Sequence, residues 1–78
     1  MTTFREHIAR AVALKGSQVK LARAVGCSQQ YISWLLHEAE QISAEMAMKF
    51  EAATDNAVSR HDLRPDIFGP PPRIDRVA

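Results

Sequence analysis

A single cysteine, Cys27, stands among 78 residues, so no intrachain disulfide can form. That usage fits a reducing, cytoplasmic setting. The three histidines, His7, His37 and His61, are scattered, and none pairs with another or with Cys27 at CxxC or HxxxH spacing. A metal site is therefore not expected, and nothing calls for a cofactor. Long apolar runs are missing as well: none approaches the roughly 20 residues that span a bilayer. The N-terminus lacks the basic start, apolar stretch and small-residue cleavage site of a signal peptide, so none is expected. No segment alternates apolar and polar residues between turn signals, which argues against a sheet. A nucleophile, a base and an orienting group do not occur together, and a chain this short hides only roughly 60–65% of its unfolded surface. Enzyme activity is not expected.

What is present suits one small globular domain: 46% of residues are apolar and 24% charged, the balance of a water-soluble chain. The net charge of +1 conceals a division. Residues 1–37 carry five basic side chains (Arg5, Arg10, Lys15, Lys20, Arg23) against Glu6 alone, a balance of +4. Residues 38–78 carry five basic and eight acidic side chains, a balance of −3, which restores the total of +1. The positive half suits contact with phosphates.

Five helices and a tail are legible, all α. The first runs about Thr3 to Leu14, with Phe4, Ile8 and Val12 one turn apart on one face. Gly16 ends it, and Ser17 caps a second helix from Gln18 to Val25, with Leu21, Ala22 and Val25 inward. Gly26 ends that helix, and Ser28 caps a third from Gln29 to His37, with Ile32, Leu35 and Leu36 inward. A polar connector leads to the cap Ser43 and a fourth helix, Ala44 to Thr54, with Met46, Ala47, Phe50 and Ala53 on its apolar face. Ile42 and Ala47 occupy the positions of a hydrophobic staple. Asp55-Asn56 forms a stop, Asn56 being tolerant of left-handed backbone. Ser59 caps a short last turn through Leu63, which Pro65 ends, because the residue before proline avoids the helical region. Ile67 and Phe68 fold back onto the core. The domain is expected over residues 1–68, and residues 69–78, with three consecutive prolines, read as a disordered tail.

The second and third helices meet the requirements of a helix-turn-helix. Steep, close crossing needs a small residue, supplied by Ala22, and the short turn needs a residue at ease with positive φ, supplied by Gly26. Leu21, Val25, Ile32 and Leu35 anchor both helices. Cys27, in the turn, reads as a small hydrophobe. The third helix is then the recognition helix. Removal of its inward set leaves Ser28, Gln29, Gln30, Ser33, Trp34 and His37 as the candidate DNA-facing residues. Glutamine pairs bidentately with adenine N6 and N7, and serine serves as donor or acceptor. Gln18 can meet a phosphate at the start of the second helix, and it can brace Gln29. Ser28 divides between capping and phosphate contact. Trp34 either packs over thymine methyls and sugars or lays its ring on apolar neighbours, and the Tyr31 hydroxyl can reach a phosphate. The third helix has no Lys or Arg, so phosphate neutralisation falls to Lys15, Lys20 and Arg23, with Arg5 or Arg10 as additional sources.

Leu21-Ala22 with Val25-Gly26, Ser28-Gln29-Gln30 with Ile32-Ser33-Trp34, Glu51 with Thr54, and the block His61-Asp62-Leu63-Arg64-Pro65-Asp66-Ile67-Phe68 together resemble the Cro family of phage regulators. The likeness covers residues 8 to 68 and is greatest to the YdaS-type branch of prophage Cro-like and antitoxin proteins. The pair Gln18 and Gln29 is similar to the glutamine pair of lambdoid repressors. The resemblance implies a five-helix Cro/lambda-repressor-like domain that binds a short palindromic operator as a homodimer through C-terminal residues. Leu63, Ile67 and Phe68 are the candidate dimer contacts, being more apolar than a small monomer readily hides. The connector His37-Glu38-Ala39-Glu40-Gln41-Ile42-Ser43 departs from the basic or glycine-rich connector of that family. Asp55-Asn56 stands where Gly-Gly is frequent. Acidic Glu38, Glu40 and Glu45 near the recognition helix leave a second possibility, an antitoxin-like module that binds a protein partner.

Overall fold

The computed structural model describes residues 4–69, and over that span helices are joined by turns and irregular connectors, with no strand. The elements are α1 (Phe4–Lys15), α2 (Gln18–Val25), α3 (Gln29–His37), α4 (Ala44–Ala53), α5 (Arg60–Leu63) and α6 (Pro65–Phe68). Of the tail expected over residues 69–78, all but Gly69 lies outside the described residues.

The helix boundaries follow from local chemistry. Ser17, Ser28, Ser43 and Ser59 each accept a hydrogen bond from the backbone N–H three residues on, which satisfies a donor that the first helical turn leaves without a partner. Gly26 closes α2 with φ 92° and ψ 36°, its N–H donating to the Ala22 carbonyl. A left-handed cap of this kind favours a residue without Cβ. After α4, Asp55 and Asn56 both take positive φ, 53° and 68°. The left-handed step expected of Asn56 therefore extends to Asp55 too, and two such steps explain why glycines suit this turn.

Helix α2 lies centrally, in contact with α1, α3 and α4, while α1 also meets α3 and α5. Ile8, Leu21, Ile32, Leu35, Ile42, Phe50 and Val58 are fully buried where these helices converge. Removal of one such side chain as far as alanine costs about 2–5 kcal/mol. The stripe expected on α1 is shifted. Ile8 and Ala11 are buried, whereas Phe4 and Val12 pack at the core's edge. Ala39 and Val58, in connectors with no helical periodicity to betray them, also belong to the core.

The C-terminal third differs from the sequence reading in two respects. The turn capped by Ser59 ends at Leu63 as expected, with Arg64 ahead of the proline outside the helical region at φ −136°, ψ 66°, but Pro65 then opens a further short helix, α6. Proline fits the first helical position because its missing N–H would have no helical partner there. Leu63 is only 4% exposed within the chain's own core. It serves the monomer's packing, so its candidate place in a dimer contact is withdrawn.

Polar side chains fasten this region. Thr54, itself buried, donates its hydroxyl to the Phe50 carbonyl at 2.9 Å and accepts from the Val58 N–H at 3.1 Å. Glu51 accepts from the Arg60 backbone N–H, Nε and Nη2 at 3.1, 2.9 and 2.8 Å. These bonds hold the Glu51 carboxyl below its ordinary range, against the opposing effect of burial. Arg64 donates to the Ile42 carbonyl at 2.6 Å and pairs with Asp66, tying α6 to the α3–α4 connector. Asp62 completes a capping box with Ser59 and lies 3.6 Å from Arg10, whose guanidinium also donates to the Ala57 carbonyl. The Arg60 guanidinium stacks over the Phe68 ring, 5.4 Å from its centroid.

Candidate nucleic-acid interface

Helices α2 and α3 are joined by Gly26, Cys27 and Ser28. The Gly26 and Cys27 N–H groups both donate to the Ala22 carbonyl, at 2.8 and 2.9 Å. This tight closure turns the chain within three residues and sends α3 off at once. Leu21, Ala22 and Val25 on one side and Ile32 and Leu35 on the other are buried, so the pair is locked to the core by apolar contact. Cys27 is half-buried against that core. Burial pushes its thiol pKa up, with the charge of Lys49 opposing; the protonated, hydrophobe-like thiol suits the turn.

The outer face of α3 carries Gln29, Gln30, Trp34 and His37 in exposed positions, with Ser33 half-buried among them. Side chains at 30, 33, 34 and 37 share one side of a helix, three and four residues apart. His37 Nδ1 lies 2.9 Å from the Ser33 carbonyl oxygen. A carbonyl can only accept, so Nδ1 carries the proton and Nε2 is the atom left for an outside partner. Ser28 accepts from the Tyr31 N–H at 3.1 Å and so caps α3. Trp34 is 46% exposed, and its ring sits 5.7 Å from that of Tyr31 at a tilt of 31°. The alternative in which Trp34 folds onto neighbours is thus realised on one side of the ring only.

Gln18 is half-buried at the first position of α2. Among the described residues no hydrogen bond joins it to Gln29, so the expected bracing of one glutamine by the other is absent in the free chain. The cations sort clearly. Arg10 is taken up by Ala57 and Asp62, Arg5 donates to the Ala39 carbonyl at 3.3 Å, and Arg60 and Arg64 are paired. Lys15, Lys20 and Arg23 make no ion pair with the described residues, and Lys20 and Arg23 are exposed. They lie at the end of α1 and along α2, beside the recognition helix rather than on it. Arg5 and Arg10, offered by sequence as further phosphate contacts, each reach a carbonyl within the chain; nothing in their local sequence reveals those partners 34 and 47 residues away.

The connector beyond α3 exposes Glu38 and Glu40. An open depression lined by Phe4, Arg5, Ala39 and Glu40 lies beside it, and these residues supply no nucleophile and base. Among the described residues no three histidine, cysteine or carboxylate side chains cluster as a metal would need, and no helix is long and apolar enough to cross a membrane.

Fold and exposed face together define a helix-turn-helix protein of the all-helical Cro-like kind. The chain belongs to the family described as bacterial toxin YdaS, whose family model matches residues 8–72. A prophage transcriptional regulatory protein of Escherichia coli (strain K12) is 35% identical over 54 residues, 69% of this chain and 82% of that protein. The Cro protein from the prophage element Xfaso 1 of Xylella fastidiosa strain Ann-1 is similar in structure. Its TM-score is 0.71 at 36% identity, covering 81% of this chain and 95% of that one. The first of these is described as a transcriptional regulatory protein and the second as a Cro protein.

Proposed function

We propose that this chain is a cytoplasmic transcriptional regulator that binds a short palindromic operator as a homodimer, with α3 in the major groove. The observation that carries this reading is the division of α3. One face is locked to the core by Ile32 and Leu35, and the other holds Gln29, Gln30, Ser33, Trp34 and His37 outward, while Lys15, Lys20 and Arg23 on α1 and α2 make no ion pair among the described residues. Gln29 and Gln30 supply the donor–acceptor pairs that adenine N6 and N7 require. Lys20, with Lys15 and Arg23, neutralises phosphate, and Gln18 and Ser28 position the backbone at the two helix starts. The regulators among its relatives support the same reading. So few cations make a monomer's affinity modest; a dimer spanning half-sites about 34 Å apart doubles the phosphate contacts.

Fluorescence titration with a pooled random duplex at several salt concentrations tests this. Affinity is expected to fall steeply as salt rises, followed by enrichment of a palindrome when bound duplexes are selected and sequenced. Salt-insensitive binding, or none, favours a second reading: an antitoxin-like module for a protein partner. The exposed acidic edge of Glu38, Glu40 and Glu45 and the family's description as a toxin support that alternative.

A further inference from the structure

The outer face of α3 is polar except at one place. Trp34, 46% exposed, lies between Gln30, Ser33 and His37 on the side of the helix that faces away from the core. Among the described residues the other large exposed apolar side chains, Leu14, Val19, Met48 and Ile67, belong to other helices. The Trp34 ring is not loose: Tyr31, itself packed against the core, supports it at 5.7 Å and 31°. The result is a supported aromatic platform set among hydrogen-bonding side chains. Helix α3 has no Lys or Arg, hence no side chain for the bidentate contact that guanine O6 and N7 favour, whereas its glutamines match adenine. In the major groove the partner of adenine presents one apolar group, the 5-methyl of thymine, and only an apolar surface rewards it.

We propose that Trp34 is a specificity-determining residue that takes the 5-methyl group of a thymine, so that α3 selects A·T pairs. This rests on the DNA-binding reading above. Adenine is recognised through N6 and N7 by a glutamine, and thymine, on the same or an adjacent pair, through its methyl against the indole. The contact buries an apolar group against a ring already held in place, so little side-chain freedom is lost on binding.

The experiment uses the full chain and a duplex enriched from a random pool. That duplex is resynthesised with deoxyuridine in place of thymidine at one position at a time, a change that removes only the methyl. At one or two positions in each half-site the substitution is expected to weaken binding about fourfold, the effect of taking one methyl group out of contact. Trp34→Gln should bind the thymidine and deoxyuridine duplexes equally. The exposure of Trp34 keeps the fold independent of this change, and a thermal melt of the variant checks that. A duplex that tolerates deoxyuridine everywhere, or a Trp34→Gln protein that still prefers thymidine, overturns the assignment while leaving DNA binding intact. Failure to enrich any duplex overturns the DNA-binding reading itself, and this assignment with it.

Discussion

Gln29 and Lys20 stand on either side of the helix-turn-helix turn and meet DNA, in the proposed complex, through different chemistry. An amide that pairs with a base edge discriminates; an ammonium beside a phosphate does not. Gln29→Ala should therefore change base preference at one or two positions, with about 1–3 kcal/mol of discrimination lost there. Lys20→Ala should weaken all duplexes alike and reduce the salt slope by about 0.9. Selection followed by salt titration measures both, and uniform loss in the two variants would sink the division of roles. Gly26 is a simpler case. Its φ is 92°, and an added Cβ would meet nothing within 4 Å, so Gly26→Ala pays only for backbone strain. A destabilisation of about 1–2 kcal/mol in urea is expected; a much larger loss would mean that the turn is more crowded than its surroundings show.

Among the elements, α2 and α3 run from Gln18 to Val25 and from Gln29 to His37, the bounds that the serine caps and Gly26 dictate. Local signals sufficed there because each cap acts within three residues. The C-terminal elements depend on distant partners. Four-residue α5 and α6 are too short to persist alone, and they stand because Glu51, Thr54, Arg10 and Arg64 hold them. Their stability should depend on pH in a definite sense. The Arg60 hydrogen bonds lower the folded Glu51 pKa, while the unfolded chain titrates near the ordinary glutamate value of about 4.3. The stabilisation is therefore complete above that value and is lost as pH falls through the lowered folded pKa. Glu51→Gln should cost about 1–2 kcal/mol at pH 7, at the modest end for charged hydrogen bonds because Arg60 is partly solvent-exposed. The gap between variant and parent should narrow in melts at pH 3 to 4, and a gap that widens in acid would contradict this origin. Asp66, paired with Arg64, is shifted in the same direction by its hydrogen bonds to that guanidinium.

For the molecule as a whole, the proposed grip on DNA rests on Lys15, Lys20 and Arg23, which make no ion pair among the described residues. In the proposed dimer a second copy doubles those contacts, and burial of the C-terminal side chains bears on which of them it would meet. With Leu63 buried in the core and Phe68 engaged with Arg60, Ile67 at 50% exposure is the most available of the three candidate side chains. Ile67→Asp should leave the melt nearly unchanged, shift sedimentation to monomer and roughly halve the salt slope. Monomer alone for the parent at micromolar concentration would remove the dimer from the account. The sequence by itself determined the helical class, the helix-turn-helix and the outward set Gln29, Gln30, Ser33, Trp34 and His37, because caps, periodicity and a turn glycine act over a few residues. Tertiary structure alone decided that Arg5 and Arg10 reach carbonyls of distant residues, that Leu63 completes the core, and that Pro65 begins a helix. Those outcomes depend on which groups meet across 20 or more residues, where charge and hydrophobicity state what a side chain can do but not which partner it finds.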